Sequence, residues 1–189
     1  MVINRPAGTR PDDLLIASFT VDHLPAVTTP AGWSVLAPAQ RLGTGATVLS
    51  YYRRATAGDP ASWSWQLNSP QKWGGGITAF AGVDADTPFA GVPVAANDST
   101  YKSNRLVLPG VVTTGPSAMI VTGYGSDSRD PSPTPPTGFT TAWNSTGGQA
   151  ASVATRLQAN PGPSGTQTWT LPATRAVGGW MVALKAAAS

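Results

Sequence analysis

Apolar and polar residues alternate along much of this chain with a period of two. In "ASWSWQL", residues 61–67, Trp63, Trp65 and Leu67 fall on one face of an extended segment and Ser62, Ser64 and Gln66 on the other. That pattern predicts a half-buried strand. The first half of the chain holds five strand segments, roughly 13–21, 32–41, 46–55, 62–67 and 75–83, bounded by Pro, Gly, Asn or Asp. "GGITAFAGV" from Gly75 and "GGWMVALKA" from Gly178 are apolar on both faces, which predicts central strands covered on each side. No window of useful length has a helical period.

The pattern is written twice. "DDLLIASFTVD" followed by "PAGWSV" reappears as "PSAMIVTGYGS" followed by "PTGFTT". Residues 47–67 lie over residues 151–171 at a constant offset of 104, which sets Trp65 on Trp169 and Leu67 on Leu171. The last apolar segments, from Gly75 and Gly178, follow at an offset of 103. Each copy alone would have about five strands with open sheet edges, so the copies are expected to pack on each other. The prediction is an all-β, two-sheet, jelly-roll-like sandwich built from two diverged internal repeats of ~100 residues. It forms one domain over 1–189, with halves of about 1–90 and 104–189. The connector, about 84–104, is rich in Pro and Gly and adds one short edge strand near 91–95; residues 126–138, "SDSRDPSPTPPTG", read as a stiff exposed loop.

Composition supports turns over helices. Gly (21) and Pro (18) together approach a fifth of 189 residues, and the nine acidic residues are all Asp. The net charge of +3 comes from scattered basic residues, with only Arg53 and Arg54 adjacent, so no stripe tracks a phosphate backbone and no nucleic-acid partner is expected. Cysteine is absent, which removes disulfides and thiolate chemistry. No apolar run approaches the ~20 residues that span a bilayer, so no membrane partner is expected either.

The repeat sorts the aromatic residues. Trp65 and Trp169 match each other, Trp33 matches Phe139 and Trp180 matches Ile77, and all are assigned to the core. Trp63 shares the face of Trp65 but matches Gln167. Trp73 has no counterpart and precedes three glycines, which makes it the best candidate for an exposed aromatic. With Tyr101 and Trp143 it forms the candidate ligand-binding set, a stacking surface for a sugar ring or a partner chain. Its alternative is a loop residue folded over the end of the sandwich.

Groups for catalysis are few. The single histidine, His23, follows Asp22, yet no G-x-S-x-G elbow accompanies the pair, and a polar loop role fits it better. Paired carboxylates would have to be aspartates. Asp84 with Asp86 and Asp127 with Asp130 are weak candidates for calcium, but neither pair has the spacing of a calcium loop, and turn formation is the better reading. Gly74, Gly75 and Gly76 lead into a strand without the Lys and helix of a phosphate cradle, and are read as a close backbone approach or a bulge. Neither cofactor nor catalysis is expected.

"PAGTRPDDLLIASFTVD", "PAGWSVLA", "YYRRATAGDPASWSWQL", "GGGITAFAGVDADTPF" and "GGWMVALKAA" together resemble a β-sandwich module of actinobacterial surface or secreted proteins and of minor tail or fibre proteins of their phages. The resemblance covers nearly the whole chain. It implies a structural or adhesive role on a virion surface, as a tail fibre, minor tail or capsid-decoration protein, oligomeric in the assembly, with other virion proteins, copies of itself or a host glycan as partners. The alternative it leaves is a carbohydrate-binding module secreted by a bacterium. The family carries no established set of functional residues. It usually has a full strand before the first "PAG", where this chain has only "MVINR"; the expectation is an abrupt start at a sheet edge or a piece of a longer polypeptide.

Overall fold

The computed structural model describes residues 1–129 and 133–188. Among them there are seventeen strands and no helix, hence none long and apolar enough to cross a membrane. In the first half the strands are β1 (Val2–Asn4), β2 (Leu14–Asp22), β3 (Val27–Thr28), β4 (Ser34–Leu42), β5 (Ala46–Arg54), β6 (Ser62–Ser64), β7 (Gln66–Leu67) and β8 (Trp73–Phe80). The connector contributes β9 (Val94–Asp98), and the second half holds β10 (Arg105–Leu108), β11 (Val112–Thr113), β12 (Ala118–Ser126), β13 (Thr140–Ser145), β14 (Ala150–Gln158), β15 (Gly162–Pro163), β16 (Gln167–Thr170) and β17 (Val177–Leu184).

Two antiparallel sheets dominate, ordered β4-β5-β2-β8 and β13-β14-β12-β17-β9. Four two-stranded ladders, β1-β6, β3-β7, β10-β16 and β11-β15, accompany them. The main sheets face each other, with β4 against β9 and β17, β5 against β12 and β17, β2 against β12 and β14, and β8 against β13 and β14.

The period-two alternation sends successive side chains into different layers. On β2, Leu14 and Ile16 join Leu36, Val48, Val121, Val153 and Trp180 in a cluster drawn from both sheets. The intervening Leu15, Ala17 and Phe19 pack on the other face with Ile3, Trp33, Tyr51, Trp63 and Trp65. On β17, Trp180, Val182 and Leu184 point between the sheets, while Met181 and Ala183 meet Leu106, Leu108, Ile120, Tyr124 and Trp169. Three apolar layers result, one between the main sheets and one outside each. Burying each large apolar side chain in them contributes about 1.5–3 kcal/mol.

The residues assigned to the core are all buried, from Trp65 and Trp169 at 0% exposed to Phe139 and Ile77 at 8%, and Trp63 joins them at 5%. Their indoles occupy different layers: Trp180 lies between the sheets, Trp65 and Trp169 in the two outer clusters. Glycine makes room for Trp180, because Gly123 pairs directly opposite it and a Cβ there would lie 2.2 Å from the indole ring. The indole Nε1 donates across the interface to Ser18 Oγ at 3.0 Å. The "PAGW" and "PTGF" segments are matching tight turns: Gly32 and Gly138 have φ of +81° and +80°, where only glycine is unstrained, and the amides of Trp33 and Phe139 return to the carbonyls of Pro30 and Pro136.

Three expectations change. β17 is covered on both faces and paired on both edges, but β8 is the edge of its sheet, with no strand beyond it among the described residues. Its apolar sequence is half-buried because the second sheet and β1 lie over its two faces while its outer edge stays unpaired. The connector strand is β9, three residues later than expected. In the Pro-rich loop, Pro133 and Pro136 are buried and Thr134 bridges to Thr170, so that part docks on the second half instead of standing free.

Candidate functional site

A groove of about 620 Å³ runs along the outer edge of β8. Its floor is Gly75, Gly76 and Ile77; one wall is Ile3 to Pro6, from β1 onward, and the other is Trp143 to Thr146, at the end of β13. Glycine lets the second sheet come this close: a Cβ on Gly76 would stand 3.0 Å from the Trp143 ring, and one on Gly74 would meet the carbonyl of Gln149 at 1.9 Å. The triple glycine therefore serves close approach. Trp143 Nε1 donates to Thr78 Oγ1 at 2.9 Å, which holds the half-buried indole against β8. The amide of Gly75 donates to Ser145 Oγ at 3.2 Å, so this N–H is directed away from β2 and toward the groove. Arg5 Nη1 donates to the carbonyl of Asp59 at 2.9 Å, which braces the opposite wall.

A polar cluster closes the seam between the sheets where β2 and β12 end. Gln149, 5% exposed, donates from Nε2 to Asp22 Oδ1 at 2.7 Å and to Asp127 Oδ1 at 3.4 Å. The Tyr101 hydroxyl donates to Asp127 Oδ2 at 2.5 Å, and Tyr101 has a positive φ of 60°. The hydrogen bond to Asp127, with burial and the carboxylate's charge adding to it, raises the Tyr101 phenol above its ordinary value of 10.0. This cluster joins the two halves. Gly45 abuts it, since a Cβ there would overlap Asp127.

The three aromatic candidates do not form one platform. Trp143 lines the β8 groove, and Tyr101, 46% exposed, is tied to Asp127. Trp73 is half-buried and not exposed as expected: it packs against the first-half core and borders a separate hollow of about 330 Å³ with Met1 and Gln66 to Gln71. The physical reason is that Trp73 is the first residue of β8, paired with Val21, and not part of a free loop.

Asp84 organises a turn. Its Oδ1 accepts from the amides of Asp86 and Thr87 at 3.2 and 2.8 Å, and its Oδ2 meets Lys185 Nζ at 2.9 Å. The Thr87 amide first, and then Lys185, hold the Asp84 carboxyl well below the usual range. Asp86 is exposed, and Asp130 lies outside the described residues. Among the described residues no three His, Cys, Asp or Glu side chains gather as a metal site. The His23 side chain is 65% exposed, with Nδ1 3.7 Å from Asp22 Oδ2 and 3.1 Å from Gln71 Oε1. Sequence reasoning missed Gln149 and the groove residues Asn4 and Arg5, for which spacing carries no signal.

No protein-family model, curated protein or solved structure matches the chain.

Proposed function

We propose that this protein is a non-enzymatic structural and adhesive module of a phage virion surface, of the tail-fibre, minor-tail or capsid-decoration kind, working in an oligomeric assembly with other virion proteins or copies of itself. The observation that carries the attachment role is the β8 groove: an unpaired sheet edge, floored by glycine and walled by β1 and β13. Unpaired edges are templates for other chains. The resemblance to actinobacteriophage tail modules supports the virion setting.

The reading includes a jelly-roll-like sandwich of two diverged repeats. Supporting it, the orders β4-β5-β2-β8 and β13-β14-β12-β17 correspond strand for strand. The β2·β5 ladder has nine pairs, from Leu14 with Arg54 to Asp22 with Ala46, and the β12·β14 ladder also has nine, from Ala118 with Gln158 to Ser126 with Ala150.

The second reading is a secreted carbohydrate-binding module. The Trp143 indole in the groove, with Asn144 and Arg5 on its rim, favours it. Mass spectrometry and surface immunolabelling of purified particles test the first reading, which predicts the chain on the virion exterior. Its absence from particles, together with glycan-array binding lost in Trp143→Ala, decides for the second.

A further inference from the structure

The two halves differ at one place. In the second half, β17 is paired on its outer edge by β9, which also lies against β10 and against β4 of the opposite sheet. Around β8 the corresponding strands are β1 and, from the opposite sheet, β13, and these line the β8 groove. The groove is thus the counterpart of the slot that β9 fills. The packing supports the match at residue level. Gln40, which accepts from Asn97 of β9 at 2.9 Å, lies over Gly178 of β17, where an added Cβ would stand 2.9 Å from the Gln40 Cβ; Ser145, on the groove wall, lies over Gly74 of β8, where an added Cβ would stand 3.2 Å from its Oγ.

We infer that the β8 groove is a strand-acceptor site, which binds an extended polypeptide segment of another chain antiparallel to β8. The occupant is specified by what fills the matching slot. β9 reads Val94, Ala95, Ala96, Asn97, Asp98; Val94 and Ala96 pack on the outer core, and Ala95 turns between the sheets. The acceptor therefore selects small apolar residues at three successive positions, followed by a polar side chain within reach of Ser145, as Asn97 is of Gln40. Main-chain bonds to β8 supply affinity, and the Gly75 amide, now donating to Ser145 Oγ, already points the required way. Five residues of strand span about 17 Å. A large side chain at the inward position would collide with Trp143, which is why alanine fits there.

This inference deepens the attachment reading by naming its contact, and rests on that reading for its biological use alone. The test uses the intact protein and a labelled peptide with the sequence of residues 92–99, VPVAANDS, in fluorescence anisotropy. Saturable one-to-one binding is expected. N-methylation of alternate peptide amides, or Asn4→Trp in the groove wall, should weaken it ~10-fold or more, because each removes the ladder or the space for it. A circular-dichroism melt of Asn4→Trp that matches the parent protein shows that the fold is intact; Asn144→Trp blocks from the opposite wall if it does not. No saturable binding, or binding indifferent to N-methylation and to both plugs, overturns the acceptor site. So does protection of Trp143 by oligosaccharides but not by the peptide. None of these results touches the particle-composition experiment, whose failure would instead remove the virion setting and leave the acceptor site standing.

Discussion

Trp65 and Trp73 stand eight residues apart and differ in what surrounds them. Trp65 is 0% exposed and meets Phe19, Trp33 and Tyr51 with ring centroids 5.1–5.9 Å apart. Trp73 has protein on one side and a hollow on the other. Trp65→Ala should therefore cost ~3–5 kcal/mol, and Trp73→Ala about 1–2 kcal/mol, in proportion to its partial burial. Urea unfolding of the two variants measures the difference; equal losses would place Trp73 in the core. Trp65 was legible in sequence because the alternation of "ASWSWQL" puts it on the apolar face of a strand. Trp73 has no match, and a lone aromatic before three glycines reads equally well as a loop or as the start of a strand.

Strands β8 and β17 carry the same lesson at the level of elements. "GGITAFAGV" and "GGWMVALKA" are about equally apolar, yet one is an edge and the other is enclosed. A segment's own residues report how its faces are covered, but pairing along its edges depends on which other strand arrives alongside. For β17 that strand is β9, whose Val-Ala-Ala-Asn-Asp sequence carries little signal of its own. Small residues on β12 were equally ambiguous. The structure gives Gly123 a specific task, since the Trp180 ring occupies the space of its missing side chain. Gly123→Ala should cost about 3 kcal/mol, the upper part of the usual overpacking range. The indole must shift for the methyl, and its bond to Ser18 would lengthen with it. Thermal unfolding and near-ultraviolet circular dichroism of the indoles check this together; a neutral Gly123→Ala would mean that the sheets slide apart at little cost.

The whole molecule is held by its seam. The inter-sheet cluster takes Leu14, Ile16, Leu36 and Val48 from one half and Val121, Val153, Trp180 and Val182 from the other, with the Trp180–Ser18 hydrogen bond buried within it and the Gln149–Asp22 bond where β2 ends. β9 adds a tie of another kind, because it lies before the connector's end yet pairs with β17. Each half also has an apolar cluster drawn mostly from its own residues, which separation from the other half leaves in place. What a separated half could not keep is solubility, since the seam face would then be bare. A protease site inserted between Lys102 and Ser103, in the exposed stretch after β9, separates these effects. After cleavage the two fragments should co-elute on native size exclusion and part only in denaturant, because the seam and the β9·β17 ladder persist without a covalent link. Each half expressed alone should aggregate, and co-expression should restore the complex. Fragments that elute separately as folded, monodisperse species would mean that the seam contributes little, and that the chain works as two independent sandwiches.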